Sequence, residues 1–497
     1  MRIDRHFNKK LLFILLILNL TVSRKSSAQI NGSLFMLADN LYAQMHNPSY
    51  MRTDDATAFS VAGLGGFSFM NQGNFKISDL ITTNSGGNPV IDFDNFYENI
   101  STNNFIRQDL SVPMAFVSIP INKGVLSFYY KEYFSSVLKF KQDIVEFIVN
   151  GNYAPDYRNF NSDAIKLLTL GYREFAFNYS KHVNKKVDVG LRAKLLFGAA
   201  MVKTDNWNYG IRTNENGDIV TLTSGGNGQL MLPVSLMVRN DSTIYGVNSE
   251  NSVAKYMTAY QNPGLAIDLG VTFQISENSI FSAAIRDLGG IWFRHYSNNM
   301  RQDISYDFEG FDIMSAVRYP EEPGYTNPAE LVTLVKENVR LVYHPVAMET
   351  NYVHGLAPKT VLHYQYRYSN QYSFGITNQS AFQKNNFQNI LTLSAVQSWP
   401  NLSVFENVNL HGVSDISLGG GIQFEGDFLQ AFLATDNLIA FYHPAANKTF
   451  SVTAGMCFLL NHKKEVHFKS GNKGFQKRKG KISKELPFYE ELGKLPN

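Results

Sequence analysis

Few residues in this chain have both the type and the spacing to do chemistry. Asp268 lies in an alternating apolar–polar run, Pro263–Ile275, and Arg286 and Asp287 lie in the matching run Ile280–Leu288. The three therefore fall on one hairpin, where a carboxylate and a guanidinium diagonal to each other can form an ion pair or line a polar constriction. Other chemistry finds little support. There is no His-Glu-x-x-His, no cysteine pair and no phosphate-cradling Gly-Lys loop, and the glycine runs Gly63–Gly66 and Gly419–Gly421 lie in strand patterns. No metal or cofactor is expected. Serines and histidines are abundant, but their spacing assembles no nucleophile–histidine–carboxylate set. Cys457 reads as an ordinary strand residue. The expectation is a protein that is not an enzyme.

The hairpin has to position those charges. Leu265, Ile267, Leu269, Val271, Phe273 and Ile275 alternate with Ala266, Asp268, Gly270, Thr272 and Gln274, which is the period of a strand with one apolar face. A three-residue loop, Glu277 to Ser279, keeps the faces consistent and pairs Ile275 with Phe281, Phe273 with Ala283 and Val271 with Ile285. Asp268 then faces Leu288 and lies diagonal to Arg286. The apolar face must meet either another sheet or lipid.

Composition narrows that choice. Of 497 residues 13% are aromatic and only 18% charged, against about 25% charged in soluble domains. A net charge of +3, with its basic residues scattered, argues against nucleic acid as a partner. Arg2, Arg5, Lys9 and Lys10, the apolar run Leu11–Leu18 and the small residues Ser26-Ser27-Ala28 read as a signal peptide over 1–28. No later run is long enough for a membrane helix, and a single cysteine gives an exported chain no internal disulfide. Two architectures remain: a soluble secreted β-protein, or a closed barrel in an outer membrane.

Residues 29–56 are too irregular for a strand. Strand patterns follow at Thr57–Met70, Ser111–Ile121, Val125–Phe134, Tyr172–Tyr179 and Val187–Phe197, and Val137–Val149 reads as a helix. Long polar excursions span 203–262 and 289–356, the second containing a helix start at Asn327-Pro328. The pattern is most regular near the C-terminus. Tyr366 pairs with Phe374 across a loop between Tyr368 and Tyr372, and hairpins follow over 388–408, 416–435 and 449–460. Short turns at one end, long excursions at the other and long strands predict an all-β fold, a closed antiparallel transmembrane β-barrel of about 14 strands with long extracellular loops. The barrel occupies 57–460 and meets outer-membrane lipid. Residues 461–497 form a basic, solvated periplasmic tail.

Several stretches resemble an uncharacterised family of outer-membrane β-barrels from Bacteroidota, itself similar to the long-chain fatty-acid transporter superfamily. They are Ile285-Arg-Asp-Leu-Gly-Gly-Ile-Trp-Phe293, Tyr306-Asp-Phe-Glu-Gly-Phe-Asp312 and Ala434-Thr-Asp-Asn-Leu438. Asn47-Pro48-Ser49 also looks like an Asn-Pro-Ala element of the fatty-acid transporters, with Ser49 in place of the alanine. In those proteins the element belongs to a segment tucked into the lumen, so the resemblance implies that 29–56 is a luminal plug with Asn47, Pro48 and Ser49 in its hatch. A basic tail after the last strand, where the family ends on an aromatic residue, is the second departure.

These readings give an outer-membrane barrel that binds or passes a hydrophobic or amphipathic small molecule, with Asp268, Arg286 and Asp287 facing the lumen. The competing reading is a structural or secretion-associated barrel whose loops bind other surface or secretion-system proteins.

Overall fold

The computed structural model describes residues 32–461, apart from 38, 53–55, 62, 84–87, 151–158, 163–164, 215–219, 233–234, 239–243, 249–251, 259, 309–345, 384–385 and 412–414. Fourteen strands close an antiparallel barrel. The wall begins with β1, in two pieces, Thr57–Ser60 and Phe67–Gly73, followed by β2 (Asn103–Ile121), β3 (Gly124–Lys141), β4 (Ile165–His182) and β5 (Val187–Thr213). The opening hairpin of the sequence analysis is β6 (Pro263–Ser276) and β7 (Ser279–Phe293). Then come β8 (Lys359–Arg367), β9 (Tyr372–Gln383), β10 (Asn386–Ser398), β11 (Leu402–His411), β12 (Asp415–Glu425), β13 (Leu429–Thr435) and β14 (Thr449–Leu460). Closure comes from β14 pairing with both pieces of β1, Thr57 with Leu460 and Phe67 with Ala454.

Alternation decides which side chains face out. Leu265, Ile267, Leu269 and Phe273 are exposed on the outer surface, while Ala266 and Asp268 between them are buried inside. The last strand does the same, with Met456 and Leu460 exposed and Ser451, Thr453 and Cys457 buried. An apolar exterior over a polar interior is the inverse of a soluble fold. Among the described residues no helix is long and apolar enough to cross a membrane. Three short helices matter below: α1 (Leu41–His46), α2 (Gln142–Asn150) and α3 (Leu438–Tyr442).

Several expectations need correction. Val137–Lys141 belongs to strand β3, and the helix starts only at Gln142; pairing with Leu167, Leu168 and their neighbours overrides a helical spacing of apolar residues. The first strand is not continuous to Met70, because the chain leaves strand geometry at Val61 and over Gly63–Gly66. The excursion 203–262 is not mainly loop. The upper half of β5 pairs with a strand at Val220–Met231, which pairs with another at Ser297–Phe308, so the sheet carries on above the barrel. The hairpin turn is Glu277-Asn278 alone, with Ile275 bulged, so Phe273 pairs with Phe281 and Val271 with Ala283. A two-residue turn would have mixed the faces; the extra bulged residue restores them, with register displaced by two. The helix start at Asn327, the signal peptide 1–28 and the tail beyond 461 lie outside the described residues.

Candidate functional site

Residues 32–37 and 39–52 lie inside the barrel. Leu34, Met36 and Tyr42 pack with Phe405 and Phe432 of the wall, Phe35, Ala43 and Tyr50 with Ala284 and Val361, and Met45 with Phe116, Tyr129 and Leu459. Asn40 caps α1 by accepting from the Tyr42 amide at 2.7 Å. Asn47, Pro48 and Ser49 then turn the chain. The Asn47 side-chain oxygen accepts from the Ser49 amide (3.0 Å) and hydroxyl (2.8 Å), the local turn that asparagine favours.

This turn is seated on β4, β5 and β6. The Pro48 carbonyl accepts from Ser180 Oγ at 2.6 Å and Asn178 Nδ2 at 3.2 Å. The Ser49 hydroxyl meets Thr272 Oγ1 at 2.7 Å, a contact that an alanine could not make. Two wall glycines let the backbone come this close. A Cβ on Gly190 would sit 2.1 Å from the Pro48 carbonyl oxygen, and one on Gly270 would sit 2.3 Å from Asn47 Oδ1.

Next to this seat stands a buried ion network. Arg192 Nη1 reaches Asp268 Oδ2 at 3.0 Å, and Lys194 Nζ reaches Asp268 at 2.8 Å, Asp287 at 2.6 Å and Glu174 at 3.5 Å. Lys131 pairs with Glu174 at 3.2 Å and Lys359 with Asp287 at 3.1 Å. The two expected carboxylates are therefore in the lumen and joined, since the Asp287 amide donates to Asp268 Oδ1 at 2.8 Å. Asp287 takes a positive φ of 62°, tolerated by aspartate more than by most residues, and this turns its amide toward Asp268. Arg286 is not the partner of Asp268. That role falls to Arg192 and Lys194, and Arg286 Nε is buried without a hydrogen-bond partner.

Arg192 also links the network to the luminal segment, donating to the Met45 carbonyl at 2.7 Å and the Gln44 carbonyl at 2.6 Å. Beside it, His46 stacks on Tyr42 with ring centroids 4.0 Å apart. Burial, followed by the nearby charge of Arg286, holds its imidazole well below the usual range, so the ring is neutral. The network thus contains five cations, Lys131, Arg192, Lys194, Arg286 and Lys359, against three carboxylates, Glu174, Asp268 and Asp287.

A cavity of about 50 Å³ is lined by Lys131, Tyr133, Lys194, Arg286, Asp287 and Lys359 and, from the wall, by Gly65, Phe67, Pro113 and Ala454. The second group marks the interruption of β1. Pro113 has no N–H to donate to a ladder, and the register of β2 on β3 shifts there. Gly66, at φ +114°, passes against the Ala454 carbonyl. Among the described residues two wall bonds bridge the detour, Gly63 N to Met114 O and Met456 N to Leu64 O.

Arg192, Lys194, Glu174, Lys131 and Lys359 were not singled out from the sequence. Their signal was present, as charges on the polar positions of alternating strands such as Leu191-Arg192-Ala193-Lys194-Leu195. Which of them meet depends on strand order.

No curated protein matches this sequence. Among solved structures, the chain is similar to the Ralstonia pickettii toluene transporter TbuX (9% identity, TM-score 0.38, 84% of this chain and 92% of that one). It is also similar to a Pseudomonas aeruginosa FadL homologue (11%, 0.37, 87% and 98%) and to the translocator domain of the autotransporter NalP from Neisseria meningitidis (5%, 0.32, 85% and 94%). A family model matches residues 50–436, most of the length, and the chain belongs to that family, the family of unknown function DUF5723.

Proposed function

We propose that the chain is an outer-membrane β-barrel that binds or passes an amphipathic small molecule, with residues 29–56 as its plug. A closed barrel satisfies every ladder group internally and can present an apolar exterior to lipid, which supports the location. The observation that carries the functional reading is the cavity joining surplus luminal cations to the interruption in β1. Lys131, Arg286 and Lys359 suit an anionic headgroup, and the detour at Val61 and Gly63–Gly66, where the ladder of β1 is interrupted, offers an apolar tail a break in the wall. At about 50 Å³ the cavity holds little more than water, so this is a closed state and passage requires the luminal segment to move.

The test is binding of a long-chain carboxylate and of its neutral methyl ester to purified protein. The carboxylate is expected to bind at least tenfold tighter, and Lys131→Gln with Arg286→Gln and Lys359→Gln to abolish the difference. Equal binding of the two ligands, or none, rejects the reading.

A second reading, a scaffold whose loops bind surface or secretion-system proteins, has its own support. The lumen is largely filled by packed side chains, and Ile81, Ile91, Phe441 and Tyr442 are exposed on elements outside the wall. A chain that binds no amphipath, yet loses a surface complex when Ile81–Ile91 is shortened, fits this alternative.

A further inference from the structure

On the outer surface, β11 carries Phe405, Asn407 and Asn409 inward, all buried, and Glu406 outward, exposed. Glu406 lies about five residues beyond the turn at Trp399–Leu402. At the rise of a tilted strand this is on the order of 12 Å, near the middle of an apolar band roughly 25 Å tall. An ionisable group at that depth is costly unless it is partnered. The neighbouring outer side chains are apolar or small: Ala395 and Gly420 are its register partners on β10 and β12. Leu393 and Leu418 stand exposed one step above.

Glu132 shows what a satisfied outward carboxylate looks like in this wall. It pairs with Arg173 at 2.8 Å and accepts from the Tyr256 hydroxyl at 3.2 Å, and the Arg173 guanidinium is covered by the rings of Tyr256 and Tyr260. Glu406 makes no hydrogen bond or ion pair among the described residues. It sits instead in a groove of about 670 Å³ bounded by Phe374, Leu393, Val408, Leu418 and Leu438 of α3. Small residues on both sides of the carboxylate let a partner's backbone approach closely.

We infer that this groove docks a membrane-embedded partner chain that presents an arginine or lysine to Glu406. The depth argues against a lipid headgroup, whose charge stays at the interface. A second copy of this chain is a poor occupant, because Arg173, which also faces outward, is already committed to Glu132 and the two tyrosines. Apolar rims and a central unpaired carboxylate fit a partner strand or helix with one intramembrane cation.

The experiment places a photoreactive benzoylphenylalanine at Val408, or at Leu269 on a distant stretch of outer wall, in the full chain assembled in its native membrane. Assembly is monitored by heat-modifiable migration, so that a lost adduct is not misfolding. The Val408 probe should give a discrete protein adduct, absent from the Leu269 probe, that maps to a membrane segment containing Arg or Lys. Glu406→Gln and Glu406→Lys should lower its yield at least tenfold. Glu406→Arg, combined with a carboxylate in place of the partner's cation, should restore it. An adduct indifferent to Glu406→Gln, an adduct to a second copy of this chain, or none but lipid adducts overturns the inference.

Discussion

Arg192 and Asp268 are register partners on adjacent strands, 3.0 Å apart and both sealed from solvent. The guanidinium also donates from Nη1 to the main-chain carbonyl of Met45 and from Nη2 to that of Gln44. One side chain therefore neutralises a wall carboxylate and holds the luminal segment. Because those carbonyls end the short helix α1, the cation also meets the negative end of the helix dipole.

Removing the cation should release the segment. Arg192→Leu leaves Asp268 with Lys194 as its ion partner and two luminal carbonyls without their donor, a disruption of about 3–5 kcal/mol by the measure of broken buried pairs. The expected result is an assembled barrel whose residues 32–52 become sensitive to added protease and exchange their amides quickly. Unchanged protection would show that apolar packing alone seats the segment.

The glycine seat can be tested without touching charge. Gly190→Ala or Gly270→Ala puts a methyl where the Pro48 carbonyl or the Asn47 side chain lies. Overpacking of this kind costs about 1–3 kcal/mol. Hydrogen exchange should rise across Asn47–Ser49 and stay unchanged in β9–β12, while the same substitution at Gly355, with open space around its Cβ position, should do nothing.

Acid should loosen the luminal segment through His46. Its folded pKa lies well below 6.5 because burial and the charge of Arg286 disfavour the imidazolium. The neutral ring's contribution is complete above about pH 6.5 and is lost as pH falls below that value, since the released chain then takes up a proton that the docked one resists. Protease sensitivity of residues 32–52 should therefore increase from pH 7 to pH 5, and His46→Gln should flatten that dependence.

Asp436 predicts the opposite slope. It is fully buried between β13 and α3, hydrogen-bonded to Ser451 Oγ at 3.0 Å, and burial pushes its carboxyl up to about 8. The folded chain holds this proton where the unfolded chain has lost it, so stability falls as pH rises from about 4 to 8. Asp436→Asn should raise the melting temperature by several degrees at pH 8 and by little at pH 4. A constant difference across that range would mean the carboxyl is ionised in the fold.

The wall was legible in the sequence because alternation is local. Leu265 to Phe273 and Phe450 to Leu460 declare their faces without knowing their neighbours, and a three-residue loop between Tyr368 and Tyr372 with Tyr366 opposite Phe374 stands in the structure as read. Local patterns misled where pairing supplied the larger energy. The apolar spacing of Val137–Val149 suits a helix in isolation, yet its first residues are taken by a ladder with β4. Bulges were invisible, since Ile275 and the Arg286–Asp287 step differ in no compositional way from regular strand.

For the site, the sequence by itself determined that Asp268 sits on a polar strand position and so faces the interior; Asp287 shares the parity of Phe281, Ala283 and Ile285 and is turned inward only by the bulge at Arg286–Asp287. Tertiary structure alone decided their partners. Arg192 and Lys194 are 76 and 93 residues from the carboxylates they meet, Met45 is 147 from Arg192, and Arg286, adjacent in sequence to Asp287, takes no share in the Asp268 pair. Parity along a strand fixes a side chain's face, whereas the order and stagger of strands around a closed barrel fix its neighbours, and no short stretch of sequence encodes that order.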